Sequence, residues 1–161
     1  MSTVTEKTIT ELESKLMTEE DFVEACDEEV RAEFKDGEVI VHSPSPIKHG
    51  NIARFVGWII QSFVSQQDLG HVMDDNIQVR LRPGLRRIPD LLFISKENDS
   101  EIRETEVEGG PDLIVEIVSS DSVERDWRDK YLEYENARVR EYWIIDPNNE
   151  RFCSLLLKRN R

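Results

Sequence analysis

Two carboxylates stand where burial should exclude them. Asp90 follows Pro89 inside the apolar run IPDLLFI, and Glu116 interrupts DLIVEIV, the most hydrophobic run of the chain. An unpaired buried carboxylate costs several kcal/mol, enough to neutralise or remove it. Such acids persist when a cation of the chain pairs with them, or when a metal ion sits between them. If the two runs are neighbouring strands, as in a meander, Asp90 and Glu116 could hold one hard cation such as Mg²⁺, with Mn²⁺ as an alternative. A structural ion pair at either acid is the competing reading.

Other side chains could complete or compete with such a site. Asp126 and Lys130 lie at i, i+4 on one helix face, the spacing of an ordinary surface ion pair. Lys130 projects about 60° from Trp127 on a helical wheel, at the margin of the apolar face, where a long side chain can reach inward. His49 lies near the start of a long apolar helix and could contact a phosphate or a water, or be a structural hydrogen-bonding group. Arg80, Arg82, Arg86 and Arg87 crowd the strand and turn ahead of Asp90. They could contact a phosphate backbone, or be solvated strand-face charges. His42 and His71 show no ligand spacing, and Trp127, Tyr131 and Tyr134 read as core rather than base-stacking residues. Neither a Gly-rich phosphate loop, a G-x-S-x-G elbow, a cysteine–histidine zinc pattern nor a dinucleotide fingerprint is present.

The elements that must position these groups follow from pattern. Thr18 and Asp21 form a capping-box signature for a short helix through Phe22. Asp36-Gly37 is a hairpin turn between two extended runs. Ser45-Pro46 opens a long helix whose Ile52, Phe55, Val56, Ile59, Ile60 and Phe63 recur as one buried stripe, with Gly70 as the stop. Ile77, Val79 and Leu81 alternate with polar residues as a half-buried strand does. Pro83-Gly84 turns into the strand of Asp90. Residues 95–110 read as a loop, and 112–118 as a central strand covered on both faces. Asp121 and Glu124 open a helix carrying Lys130, and two last strands follow around Pro147. The layout is α+β, a mixed central β-sheet flanked by helices, with an N-terminal helix and β-hairpin.

The 161 residues suffice for one domain with a real core; a polar arm over 1–17 and a single domain over 18–161 are expected. Composition is 38% hydrophobic and 34% charged, with a formal charge of −13. That acidity repels nucleic acid unless the facing site is locally basic or metal-loaded. Cys26 and Cys153 lack metal-type spacing and read as thiols of a reducing compartment. No leader or membrane span is visible, so a cytoplasmic protein without a membrane partner is expected.

Pro89-Asp90, a gap, then Glu116 and a helix bearing Lys130 resemble the core of PD-(D/E)XK nucleases. More closely, FKDGEVIVHSP with His49, IPDLLFI, GPDLIVEIVS, Asp126 and Lys130 with Tyr134, and EYWIIDP resemble the Uma-two family of restriction-endonuclease-like proteins. The matching pieces run in order from about residue 18 to 150. The resemblance implies a restriction-endonuclease-like fold and metal-dependent hydrolysis of phosphodiester bonds. Asp90 and Glu116 would hold Mg²⁺, Glu33 would supplement them, and Lys130 would be a migrated catalytic lysine, because Val118 occupies the usual lysine position. The resemblance leaves a DNA endonuclease, a catalytically inactive module acting in protein interaction or assembly, and an RNA-directed nuclease as alternatives. A duplex cutter with one site per chain needs two chains, so a homodimer is a geometric expectation.

Overall fold

Local signals set the turns and caps, and the sheets then gather them. The computed structural model describes residues 16–25, 31–42, 44–119 and 125–158. Most of the expected polar arm, Cys26, the Asp121–Glu124 helix opening and the Asp126 side chain lie outside the described residues. The capping box forms: the Thr18 backbone N–H donates to Asp21 Oδ2 at 3.2 Å, and the Asp21 N–H to Thr18 Oγ1 at 3.1 Å. It opens helix α1 (Glu19–Ala25), which buries Phe22. Strands β1 (Ala32–Lys35) and β2 (Glu38–Val41) pair across a tight turn in which Asp36 and Gly37 both take positive φ, +49° and +100°. A two-residue turn with both φ positive matches the right-handed twist of its strands.

Helix α2 (Ile47–Gln66) follows, with Pro46 at its N-cap. The chain then runs through β3 (Gly70–Asp74), β4 (Gln78–Arg82), β5 (Leu85–Arg87), β6 (Leu91–Ser95), β7 (Glu101–Ile102), β8 (Glu106–Glu108) and β9 (Leu113–Ile117). A π-helical turn (Arg125–Asp129) leads into α3 (Lys130–Asn136), and β10 (Glu141–Asp146) and β11 (Arg151–Leu156) close the described chain.

The strands form two mixed sheets rather than one. The first has the order β2-β1-β5-β4-β8-β7 and the second β11-β10-β9-β6-β3. In the second, β9 runs antiparallel to β6 and parallel to β10. That places β9 at the centre, covered on both faces, as its continuous apolar run requires. The main core, built on Val79, Leu92, Ile114, Tyr134, Tyr142 and Ile144, joins the two sheets to α3. A second cluster of Ile60, Val64, Leu91, Leu113 and Val115 lies under α2.

Several expectations are corrected. Residues 95–110 are not only loop, because β8 pairs parallel to β4 and buries Val107 completely. Polar flanks hid this strand. Gly70 begins β3 instead of merely ending α2, and a Cβ there would stand 2.1 Å from Ile94 O. The α2 stripe is also displaced. Ile60 and Val64 are buried, but Phe55 (61%), Ile59 (46%) and Phe63 (59%) are exposed. The helix lies on the side carrying Gly57, whose missing Cβ would come 3.1 Å from Leu91 Cδ2. A small residue lets the helix approach the sheet there, so the contact falls beside the widest apolar stripe. Trp127 is likewise on the surface at 36% exposure, whereas Tyr134 is core.

Candidate active site

Strand register decides whether Asp90 and Glu116 meet. β6 and β9 pair with Leu91 opposite Val115 and Leu92 opposite Ile114. Continued one step beyond the last paired residues, that register sets Asp90 opposite Glu116. Asp90 stands just before β6, where the ladder ends, and its Oδ2 accepts the Ile117 N–H at 2.7 Å. Both acids are buried, at 7% and 4% exposure.

Lys130 and Tyr134 reach Glu116 from α3. The Lys130 Nζ is 2.7 Å from Glu116 Oε1, and the Tyr134 hydroxyl donates to the same oxygen at 2.6 Å. The two residues are one helical turn apart, so their side chains converge on one point. Burial, then the charge of Glu116, pushes the Tyr134 phenol well above its usual pKa and keeps it a donor. Lys130 opens α3 directly after the π-helical turn, a local irregularity that occurs often at functional sites.

Glu33, expected to supplement the metal ligands, has other partners. It is fully buried, accepting from Arg87 Nη1 at 2.8 Å and from the Ile88 N–H at 3.1 Å, with Lys130 Nζ at 3.6 Å. Burial alone would raise its pKa, but the charges of Lys130 and Arg87 and the nearby His42 outweigh that and hold the carboxyl well below its usual range. Arg87 is fully buried and also forks onto Glu133 through Nε and Nη2, each at 2.8 Å. Lys35 Nζ meets Glu133 at 2.9 Å. A connected chain of charges thus runs from Glu116 through Lys130, Glu33 and Arg87 to Glu133 and Lys35.

The arginines do not form a basic face. Arg87 is enclosed, Arg80 bonds Glu19 and Glu108, Arg86 bonds Glu19 and Glu106, and Arg82 bonds Asp36. Arg80 and Arg86 together with the Gly84 N–H hold Glu19 at a pKa of about 2. His49 does join the acids: its Nε2 lies 3.0 Å from Ile117 O and 3.3 Å from Asp90 Oδ2. Both neighbours are acceptors, so that nitrogen carries the hydrogen. The Asp90 hydrogen bond, against burial, raises the His49 pKa.

Sequence reasoning missed Tyr134 as a partner of Glu116 and Glu133 as a partner of Arg87. The i, i+4 spacing of Lys130 and Tyr134 was the available signal, and an apolar-face assignment concealed it. Glu133 carries no such signal, since its partner comes from a strand far back in the chain.

A hard divalent ion is commonly held by one or two carboxylates, with water and substrate oxygens completing its shell. Asp90 and Glu116, two oxygen donors in register at one strand end, fit that requirement. Glu33 spends its two oxygens on Arg87 and the Ile88 N–H. No group of three or more His, Cys, Asp or Glu side chains able to hold a metal occurs among the described residues.

Residues 19–160 match the family model of Uma2, described as "Putative restriction endonuclease". The chain belongs to the Uma2 family. Its Uma2 fold is also similar to that of a protein from Anabaena variabilis ATCC 29413, described as "a putative nuclease belonging to DUF820". The two share 21% identity with a TM-score of 0.74, over 89% of this chain and 82% of that one. At that identity the likeness shows the fold, a restriction-endonuclease-like α+β arrangement. No functionally curated protein matches the chain. Among the described residues no helix is long and apolar enough to cross a membrane.

Proposed function

We propose that this Uma2 chain is a divalent-cation-dependent endonuclease that hydrolyses phosphodiester bonds in DNA within the cytoplasm, working as a pair of chains on duplex substrate. The carrying observation is the contact of Lys130 Nζ with Glu116 at 2.7 Å, beside the register position that faces Asp90. Membership in a family described as "Putative restriction endonuclease" supports a nucleic-acid substrate and favours DNA.

Asp90 and Glu116 would hold Mg²⁺ or Mn²⁺, which when bound polarises a phosphoryl oxygen and lowers the pKa of the attacking water. Lys130 supplies a fixed positive charge for the negative charge that develops on the phosphoryl oxygens. It also orients the water toward phosphorus. Tyr134 fixes the Glu116 carboxylate, and His49 with the Ile117 N–H fixes Asp90. Glu33, anchored by Arg87, restrains Lys130 from behind. It is a positioning residue in this scheme.

Calorimetric titration with Mg²⁺ and Mn²⁺, run on the native chain, Asp90→Ala and Glu116→Ala beside cleavage of DNA and RNA substrates, tests the proposal. Metal-dependent cutting of DNA, lost in both variants, is expected. Cutting of RNA alone would replace the substrate. Absence of both metal binding and cutting would overturn the reading in favour of a non-catalytic module.

A further inference from the structure

A cavity of about 600 Å³ opens beside Asp90 and His49, between α2 and β3. Its volume lies within the range of small-ligand clefts. Arg54 and Trp58 line it one helical turn apart, and Gly50 lines it one turn before Arg54. A Cβ at Gly50 would meet nothing within 4 Å, so a ligand could approach the backbone there.

Two features of this wall bear on what it could hold. Trp58 is 67% exposed, as Phe55, Ile59 and Phe63 of the same helix are in part, and it offers a large apolar face at the cavity. Arg54 is exposed and has no hydrogen bond or ion pair among the described residues, in a chain whose charge is −13. The arginines that precede Asp90 in the sequence make the contrast plain, since Arg80, Arg82, Arg86 and Arg87 are each paired with a carboxylate. On the opposite rim Asp75 pairs with Arg31 at 2.8 Å, and Asp74 accepts from Asn76 at 2.9 Å. Asp74, which no cation pairs among the described residues, repels phosphate from the β3 side, and Arg54 on the helix wall is the place for it.

We propose that this cavity is a subsite for one unstacked nucleotide of a nucleic-acid strand, adjoining the phosphate that is cut. Its base stacks on Trp58 and its phosphate rests on Arg54. An indole face accepts any base, and a guanidinium one turn away suits the backbone that carries it. The subsite rests on the nuclease reading for its position beside Asp90, but its binding chemistry is independent of turnover. It predicts that the duplex is locally unpaired where it is cut, so that the subsite alone binds a single strand more tightly than intact duplex.

The test is equilibrium binding of a fluorescein-labelled 12-nucleotide DNA single strand to the full chain in EDTA, where no cleavage occurs. Trp58→Ala should weaken binding roughly 5- to 150-fold, the range of one base–aromatic stack. Trp58→Phe should recover most of it, and Trp58→Leu should not. Arg54→Ala should weaken binding and lower the salt dependence by about one counterion. A duplex of the same sequence should bind more weakly than the single strand. Unchanged binding in Trp58→Ala and Arg54→Ala overturns the subsite, as does Trp58→Leu matching Trp58→Phe. A free mononucleotide binding as tightly as the strand also overturns it, in favour of a nucleotide pocket. Strand binding through Trp58 and Arg54 without Mg²⁺-dependent cutting would sink the nuclease reading and keep the subsite; cutting without any effect of these variants would do the reverse.

Discussion

Replacing Glu33 by glutamine tests the buried charge network without removing any proposed metal ligand. Glu33 is fully buried against Arg87, whose side chain is 1% exposed, at 2.8 Å. Removing one partner of a buried pair costs about 3–5 kcal/mol, because the other charge is left in low dielectric. Arg87 keeps its fork onto Glu133, which places the expected loss near the lower end, about 3 kcal/mol. For a domain of this size that corresponds to a fall in Tm of about 6–12 °C. Asp36→Asn is the control: its pair with Arg82 is 57% and 47% exposed, and such pairs contribute about 0–1 kcal/mol. Glu33→Leu with Arg87→Met should lose less than Glu33→Gln alone, since an apolar pair replaces the ionic one without stranding a charge. Urea unfolding followed by circular dichroism measures all three. The sign of the pH dependence follows from the depressed Glu33 carboxyl. Its contribution is complete above the unfolded value of 4.5 and is lost as pH falls through the folded pKa. Glu33→Gln should therefore flatten the acid limb of the stability curve. A variant within about 1 kcal/mol of the native chain, no worse than Asp36→Asn, would refute the reasoning.

Lys130→Met should lower metal-dependent cleavage at least about 100-fold, the usual loss when one donor to a developing anion is removed. Its Mg²⁺ affinity in calorimetry should be equal or higher, because the ammonium no longer competes for Glu116; a variant that cuts at the native rate would remove Lys130 from the mechanism. Gly70→Ala should destabilise by more than about 2 kcal/mol in urea, since its Cβ would lie 2.1 Å from Ile94 O at a φ of +152°. Gly50→Ala, in helix α2 with nothing within 4 Å, should be neutral or stabilising by about 0.5–1 kcal/mol.

Residues close together along the chain suffice to define the local elements and to single out the two acids. The Thr18–Asp21 box, the Asp36-Gly37 turn and the alternation of β4 depend on residues within a few positions of each other, so they are legible without a partner. Asp90 and Glu116 were visible because a charge in an apolar run conflicts with the free energy of burial. Tertiary structure decided which groups met. Only the β6–β9 register placed Asp90 across from Glu116, and only the docking of α3 brought Lys130 onto Glu116. Glu33 and Arg87, distant in sequence from each other, were joined by the β1–β5 pairing, which turned an expected metal ligand and an expected phosphate contact into an enclosed ion pair. The α2 helix shows the limit most directly. Periodicity gives the widest apolar stripe, but the contact follows whichever side can come closest to the sheet, and Gly57 set that side. Local propensities fix elements because their interactions are short in sequence; a site depends on side chains from several strands and helices, whose distances exist only once the sheets have formed.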